Sequence, residues 1–381
     1  MERKNIVNTR YITFEGPGSQ LLLDSGQKLT AVTIAYETYG NLNKKRDNTV
    51  LIFHALSGDA HAAGFNSESD KKPGWWDIMI GPAKPFDTDK YFVICSNVIG
   101  GCKGSTGPSS INPETKKPYG LSFPEITIND MLKPQKKLLE HLGIEKLFCI
   151  AGGSMGGMQA LQWIVAYPET AKGAIIIAAA AGHTAQQIAF NSIGRYAIIS
   201  DPAWNNGNYY DKSCMGKRPD IGLSIARMIG HITYISEELM HKKFGRDFIN
   251  KNRIKKSFID FTKEFEVESY LYYQGESFIK RFDPNSYLYI TKALDNFNLS
   301  QGYKNLVEAM SRVKSRCLVL SFKSDWLYPG QQSMQIVKAL KINGVDTTYV
   351  DLDLPYGHDS FLIEDKKLIS LVKGFTGGLE D

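Results

Sequence analysis

Short, almost continuous apolar runs alternate along much of this chain with stretches whose apolar residues recur every three or four positions. Thr30–Tyr39, Thr49–His54 and Tyr91–Ser96 read as strands. Asp130–Leu142 has helical spacing and stops at Gly143, a residue suited to ending a helix. Lys146–Ala151 is a further strand, Met155–Tyr167 a helix closed by Pro168, and Ala174–Ala180 the next strand. Strands that are apolar at nearly every position are covered on both faces. The pattern therefore predicts an α/β fold, a mostly parallel sheet with helices on both sides.

The rhythm breaks between about residues 184 and 309. That stretch is rich in Tyr, Phe, Met and Lys and carries helical patterns such as Ile221–Met240 and Arg246–Lys251. It resumes with a strand at Arg316–Phe322, a helix at Gly330–Leu340, a strand at Thr347–Leu354 and a helix at Glu364–Gly374. A sheet interrupted by a helical block and then continued implies a core, residues 1–183 and 310–381, with a helical lid domain at 184–309. Neither internal repeats nor low-complexity tracts occur.

Composition narrows the class. The 381 residues are 43% hydrophobic and 22% charged, ordinary for a globular protein. The net charge of +5 is dispersed, without the basic stripe and interleaved aromatics that nucleic-acid binding needs. Five scattered cysteines with no C-x-x-C pair fit free thiols in a reducing compartment. The N-terminus has no apolar signal-like run, and the longest apolar stretch, Ala174 to Ala181, is far too short to span a bilayer. The expectation is a soluble, cytoplasmic protein.

The chemistry centres on Gly152-Gly153-Ser154-Met155-Gly156, a G-x-S-x-G between a buried strand and a helix. In that context the serine occupies a strained turn, its hydroxyl exposed above the strand ends and the helix N-terminus aimed at a developing oxyanion. A plain tight turn with a buried serine is the competing reading. In an α/β-hydrolase the acid and the histidine follow in that order, each after a later strand. Asp325 lies just beyond Arg316–Phe322, and His358 just beyond Thr347–Leu354. His358 would take the proton of Ser154, and Asp325 would orient the imidazole. Taken singly, an aspartate after a strand is more often a helix cap and a loop histidine is usually solvated. Their order and placement join them into a triad. His54 and His61 flank a glycine-containing loop, but no third ligand has zinc-like spacing, so no metal is expected. His141, His183, His231 and His241 have no motif around them.

Several segments are similar to the homoserine O-acetyltransferase family. They are His54-Ala55-Leu56-Ser57-Gly58-Asp59-Ala60-His61, the run from Asn97 through Gly100-Gly101-Cys102 to Pro108, Gly152–Gln159, Ala226–Tyr234, and Tyr356-Gly357-His358-Asp359-Ser360-Phe361. The resemblance implies an α/β-hydrolase fold and transfer of acetyl from acetyl-CoA, with no tightly bound cofactor, to the hydroxyl of L-homoserine in methionine biosynthesis. It implies a Ser154–Asp325–His358 triad, substrate contacts at Arg227 and Asp359, and a homodimer formed through lid helices. Arg227 offers a planar fork for a carboxylate, and Asp359 a partner for an ammonium beside the base. As residues alone, Arg227 could instead form a surface ion pair, and Asp359 could as readily be a loop or helix-cap residue. The oxyanion donors would be the backbone N–H groups of Met155 and of Leu56, in the loop after Val50–His54.

The framework leaves rivals open. The same triad hydrolyses esters if water reaches the acyl-enzyme, so a carboxylesterase is one. Succinyl-CoA as donor or serine as acceptor would need only pocket changes. A catalytically silent scaffold would lack a triad member, and none is missing.

Overall fold

The computed structural model describes residues 4–210, 217–249 and 263–380. Its strands are β1 (Arg10–Glu15), the small hairpin β2 (Leu21–Leu22) and β3 (Lys28–Leu29), β4 (Ala31–Tyr39), β5 (Thr49–Phe53), β6 (Phe92–Ser96), β7 (Leu147–Gly153), β8 (Ala171–Ile177), β9 (Arg316–Phe322) and β10 (Thr347–Leu352). Eight of them form one sheet in the order β1-β4-β6-β5-β7-β8-β9-β10. The β1–β4 and β4–β6 pairs are antiparallel and the remaining pairs parallel.

Alternate residues of the central strands feed two separate cores, which is why these strands read as unbroken apolar runs. On one face Ile150, Ala174, Ile176, Cys317 and Val319 pack with α1 (Ile128–His141), α2 (Met155–Ala166) and a later helix. On the other, Ala151, Ile175, Ile177, Leu318 and Leu320 pack with Trp76, Met79, Phe86 and the C-terminal helix. Between β8 and β9 the described elements are all helical. They are α3 (Ala185–Ser200), α4 (Asp220–Tyr234), α5 (Glu237–Phe244), α6 (Glu266–Ile279), α7 (Pro284–Asp295) and α8 (Leu306–Met310). The two helices flanking β10 are α9 (Gly330–Ile342) and α10 (Lys366–Gly377).

Several boundaries differ from the sequence reading, each for a local reason. Helix α1 starts at Ile128, two residues early, because Thr127 and Asp130 cap each other reciprocally, each backbone N–H bonding the other's side chain at 3.0 Å. Strand β8 lies three residues before the expected Ala174–Ala180. Ala178 adopts φ 46°, and the run beyond it is apolar because it is buried, not because it is strand. The single helix expected at Ile221–Met240 is two helices. Ile235 and Ser236 are extended, Ser236 caps α5 through the Leu239 N–H at 3.0 Å, and its hydroxyl also bonds the Pro355 carbonyl. The helix expected at Arg246–Lys251 does not form over 246–249, where Phe248 bridges to Phe265, and residues 250 and 251 lie outside the described part. Cys95, Cys102, Cys149 and Cys317 are free thiols, while Cys214 lies outside the described residues. Among the described residues no helix is long and apolar enough to cross a membrane.

The tightest packing lies where β7 turns into α2. A Cβ on Gly156 would sit 2.1 Å from the Phe53 carbonyl oxygen, and one on Gly152 would sit 2.4 Å from the Gly156 backbone. Both obstacles are backbone, which cannot swing aside. We therefore predict that Gly156→Ala lowers the melting temperature sharply or prevents soluble expression, whereas Ser154→Ala melts within a few degrees of the parent. Thermal unfolding followed by circular dichroism checks this. Equal melting of Gly156→Ala and the parent would refute the packing argument.

Candidate active site

The chain steps from β5 to β6 on one side and returns with β7 on the other. At such a reversal the loops beyond the strand ends diverge and leave a crevice. Phe53 of β5 pairs with Gly152 of β7, so the loop carrying Leu56 and the turn carrying Ser154 rise side by side. A cavity of about 50 Å³ there is lined by Leu56, Ser154, His183, Tyr287, Leu294 and Tyr328, among others.

Ser154 has φ 58° and ψ −124°, a conformation rare for a residue with a Cβ. It is held from both sides. The Ser154 N–H donates to the Ile177 carbonyl of β8 at 3.0 Å, and its own carbonyl accepts from the Met158 N–H of α2 at 3.1 Å. This is the strained strand-to-helix turn that G-x-S-x-G predicts. Among the described residues, neither the Leu56 nor the Met155 backbone N–H has a hydrogen-bond acceptor, although Met155 is fully buried. Two unused donors flanking a serine can hold an oxyanion.

Asp325 sits on the loop after β9, its side chain fully buried. One carboxylate oxygen accepts from the Leu327 and Tyr328 N–H groups at 3.0 and 2.8 Å, and the other meets His358 Nδ1 at 2.7 Å. His358 lies on the short helical turn Gly357–Leu362. Gly357 has φ 73°, and a Cβ there would lie 2.6 Å from the Ser236 backbone nitrogen, so the turn fits under the break between α4 and α5. Burial pulls the His358 pKa down, but the charge and hydrogen bond of Asp325, aided by Asp359, more than offset it and hold it above the ordinary value. The structure thus joins the acid and the histidine directly. Ser154 makes no hydrogen bond to His358 among the described residues. The two instead share Tyr328, whose ring stacks on the imidazole at 4.9 Å and whose hydroxyl faces Ser154.

Arg227 projects from α4 with its guanidinium over the rings of Phe278 and Tyr234, at 4.7 and 5.5 Å. Asp359 follows His358 and feels the charges of both His358 and Arg227. Neither has a carboxylate, ammonium or hydrogen-bond partner of its own among the described residues, apart from a weak interaction of Arg227 with the Tyr234 hydroxyl. Burial raises the Asp359 pKa, and those two positive charges only partly counter it. Arg227 and Asp359 thus lie near His358, close enough to feel each other's charge but without an ion pair or hydrogen bond between them among the described residues.

His54 and His61 are engaged elsewhere. His54 bonds the Ala55 carbonyl and accepts from the Val98 N–H, and His61 pairs with buried Glu37 at 2.9 Å. Two features escaped the sequence reading. Arg281 donates to the Ser57 carbonyl at 2.8 Å, tying the helical block to the Leu56 loop. His183 bonds the Tyr328 hydroxyl at 2.6 Å. Nothing local in the sequence marks His183 or Tyr328 for this bond.

The α/β-hydrolase fold family model matches residues 48–365. A homoserine O-acetyltransferase of Methanohalobium evestigatum is 56% identical over 98% of this chain and 75% of its own length. Among solved structures, homoserine O-acetyltransferase from Bacillus anthracis superposes with a TM-score of 0.89 at 28% identity, covering 98% of each chain. Esterase E22 superposes at 0.86 with 31% identity, covering 97% of this chain and all of its own. The same framework therefore serves both transfer and hydrolysis among solved structures, and it is the 56% identity over nearly the whole chain that shows this chain to be an acyltransferase belonging to the homoserine O-acetyltransferase family of α/β-hydrolases.

Proposed function

We propose that this enzyme transfers acetyl from acetyl-CoA to the side-chain hydroxyl of L-homoserine through an acyl-Ser154 intermediate. Ser154 Oγ turns toward His358, gives it a proton and attacks the thioester carbonyl. The oxyanion is held by the N–H groups of Leu56 and Met155. The C–S bond breaks, and His358 returns the proton to the sulfur, so that CoA leaves as the thiol. Homoserine then enters with its carboxylate on Arg227 and its ammonium on Asp359. Its hydroxyl gives a proton to His358, attacks the acyl carbonyl and leaves as the O-acetyl ester, while His358 restores the Ser154 hydroxyl. Asp325 fixes the imidazole tautomer and stabilises the imidazolium.

The observation that carries this reading is the pair Arg227 and Asp359 near His358, which feel each other's charge but form no ion pair or hydrogen bond with each other among the described residues. Partly buried opposite charges held apart in this way lose most of the attraction that would offset their desolvation. An ester hydrolase gains nothing from it, whereas a zwitterionic amino acid neutralises both at once. The donor choice is supported by the small cavity beside Ser154, whose lining has no Lys or Arg, so a succinyl carboxylate there would be buried without a counter-charge.

Residues 184–309 then act as a lid, and the enzyme works as a cytoplasmic homodimer. The dimer is supported by exposed apolar residues on two adjacent lid helices, Ile193, Tyr196 and Ile199 of α3 and Ile221 and Ile225 of α4. Such a patch on a folded chain marks an interaction surface. Tyr196→Glu combined with Ile225→Glu is expected to shift the species seen by light scattering from dimer to monomer. A parent protein that is already monomeric would remove this part of the reading.

Acetyl-CoA alone should release a burst of CoA stoichiometric with enzyme and absent from Ser154→Ala, and homoserine should then accelerate turnover. Succinyl-CoA should be used at least about a hundredfold less efficiently. Arg227→Ala should raise the homoserine KM roughly tenfold to a hundredfold while leaving the burst intact. Thiol release that ignores homoserine would point to an esterase instead.

The base must be neutral to accept a proton, and its pKa is raised. Acylation should therefore fall as pH drops, along a limb lying above the usual histidine value of about 6.5. Asp325→Asn removes the raising charge, so the limb should move to lower pH while the rate falls by about four orders of magnitude. A limb that stays in place in Asp325→Asn would contradict the assignment.

A further inference from the structure

Tyr328 touches every member of the triad by a different route. Its backbone N–H donates to Asp325 at 2.8 Å, its ring stacks on His358 with centroids 4.9 Å apart and planes 25° from parallel, and its hydroxyl faces Ser154. Phe361 also packs edge-on against the imidazole, with centroids 5.8 Å apart. A ring held in this way permits little rotation of His358 about its bond to Asp325.

Tyr328 is itself held by a second acid–histidine pair. Its hydroxyl lies 2.6 Å from His183 Nε2, while His183 Nδ1 lies 3.1 Å from Asp295 Oδ1 at the end of α7. The His183 side chain is 2% exposed. Asp295 is also paired with Arg195 of α3 at 2.7 Å and accepts from Asn191 at 2.7 Å. Burial opposes ionisation of Asp295, but its bonds to His183, Asn191 and Arg195 prevail and keep its pKa low. An ionised Asp295 accepts from Nδ1–H, which leaves Nε2 as an acceptor. The Tyr328 hydroxyl therefore donates to His183 and turns its lone pairs toward the Ser154 side. Gln187 in the first turn of α3 adds a bond to the Leu327 carbonyl at 2.8 Å.

We propose that Tyr328 is a positioning residue for the nucleophile and the base, and that the chain Asp295–His183–Tyr328 transmits the seating of the helical block to the triad. The inference rests on the triad reading. In the resting enzyme the Tyr328 oxygen offers the Ser154 proton an acceptor other than His358. During the reaction its ring keeps the imidazole in the plane from which it serves both Asp325 and Ser154. No atom of Tyr328, His183 or Asp295 changes bonding partners covalently. Their effect is on geometry, where small misplacements cost large rate factors.

The test uses the whole enzyme and p-nitrophenyl acetate, a small activated ester that reads acylation of Ser154 without homoserine. Tyr328→Phe keeps the ring and the backbone N–H and loses only the hydroxyl. His183→Gln removes the anchor by a separate route, so it carries the test if the first variant melts. Each variant should slow the p-nitrophenol burst by about tenfold or more, with the homoserine KM in the acetyl-CoA assay within about twofold and the melting temperature within a few degrees. The double variant should be no slower than the worse single one, as expected for links of one chain. A folded Tyr328→Phe with an unchanged burst, or multiplicative losses in the double variant, would overturn the inference and leave the triad reading standing. Absence of a Ser154-dependent burst from the unsubstituted enzyme would sink both.

Discussion

The arrangement of the site depends on one steric constraint, the approach of the first turn of α2 to the ends of β5 and β7. Gly152 and Gly156 lie so close to neighbouring backbone that no side chain fits at either position. That approach forces Ser154 to φ 58° and leaves the Met155 N–H without a partner beside the equally free N–H of Leu56. A residue held in such a conformation costs roughly 1–3 kcal/mol. A single buried Leu, Ile or Phe contributes about 1.5–3 kcal/mol, and dozens of such side chains fill the two cores. The strain is thus local and small against the packing that imposes it.

Electrostatics divides the charged groups near the strand ends into two kinds. Asp325, Asp295 and Glu37 are buried with a hydrogen-bond or ion-pair partner at both carboxylate oxygens, as the cost of isolating a charge requires. Arg227 and Asp359 are treated differently. Arg227 rests on aromatic faces, which attract a cation without neutralising it. Burial pushes the Asp359 pKa up against the pull of His358 and Arg227, so a further positive charge beside it would favour the carboxylate. In the proposed reaction the acceptor amino acid supplies both missing partners. Binding it then relieves a cost already present in the empty site.

Legibility in the sequence followed the range of the interactions. The βα rhythm, the elbow and the positions of Asp325 and His358 after their strands depend on neighbours a few residues away, and all were readable. Strand β1 was missed because it lies at the sheet edge with four of its six residues exposed, and so lacks the apolar signature of its neighbours. The break at Ile235–Ser236 is dictated by the Gly357 turn more than a hundred residues later, and no local propensity announces it. His183 was set aside as a histidine with no motif. Its meaning comes from Asp295 and Tyr328, which are 112 and 145 positions away.

These long-range bonds also bear on how one framework supports both transfer and hydrolysis. The helical block is keyed to the site loops at several points. Arg281 holds the Ser57 carbonyl beside the Leu56 donor, and Ser236 holds the Pro355 carbonyl ahead of His358. Trp326, next to Asp325, donates to the Ile235 carbonyl at 3.4 Å, and Asp295 of α7 holds Tyr328 through His183. Each contact ends within three residues of a group with a role in the proposed mechanism. A lid that merely covered the cleft would need only apolar contact with its rim. In the proposed function, a lid fastened to the loops themselves would couple its own closure to the alignment of donor, acid and base. An acyl-enzyme exposed by lid opening would then also be less well aligned for attack by water. Transfer over hydrolysis can in this way arise from the bonds joining lid to loops, with the triad itself unchanged.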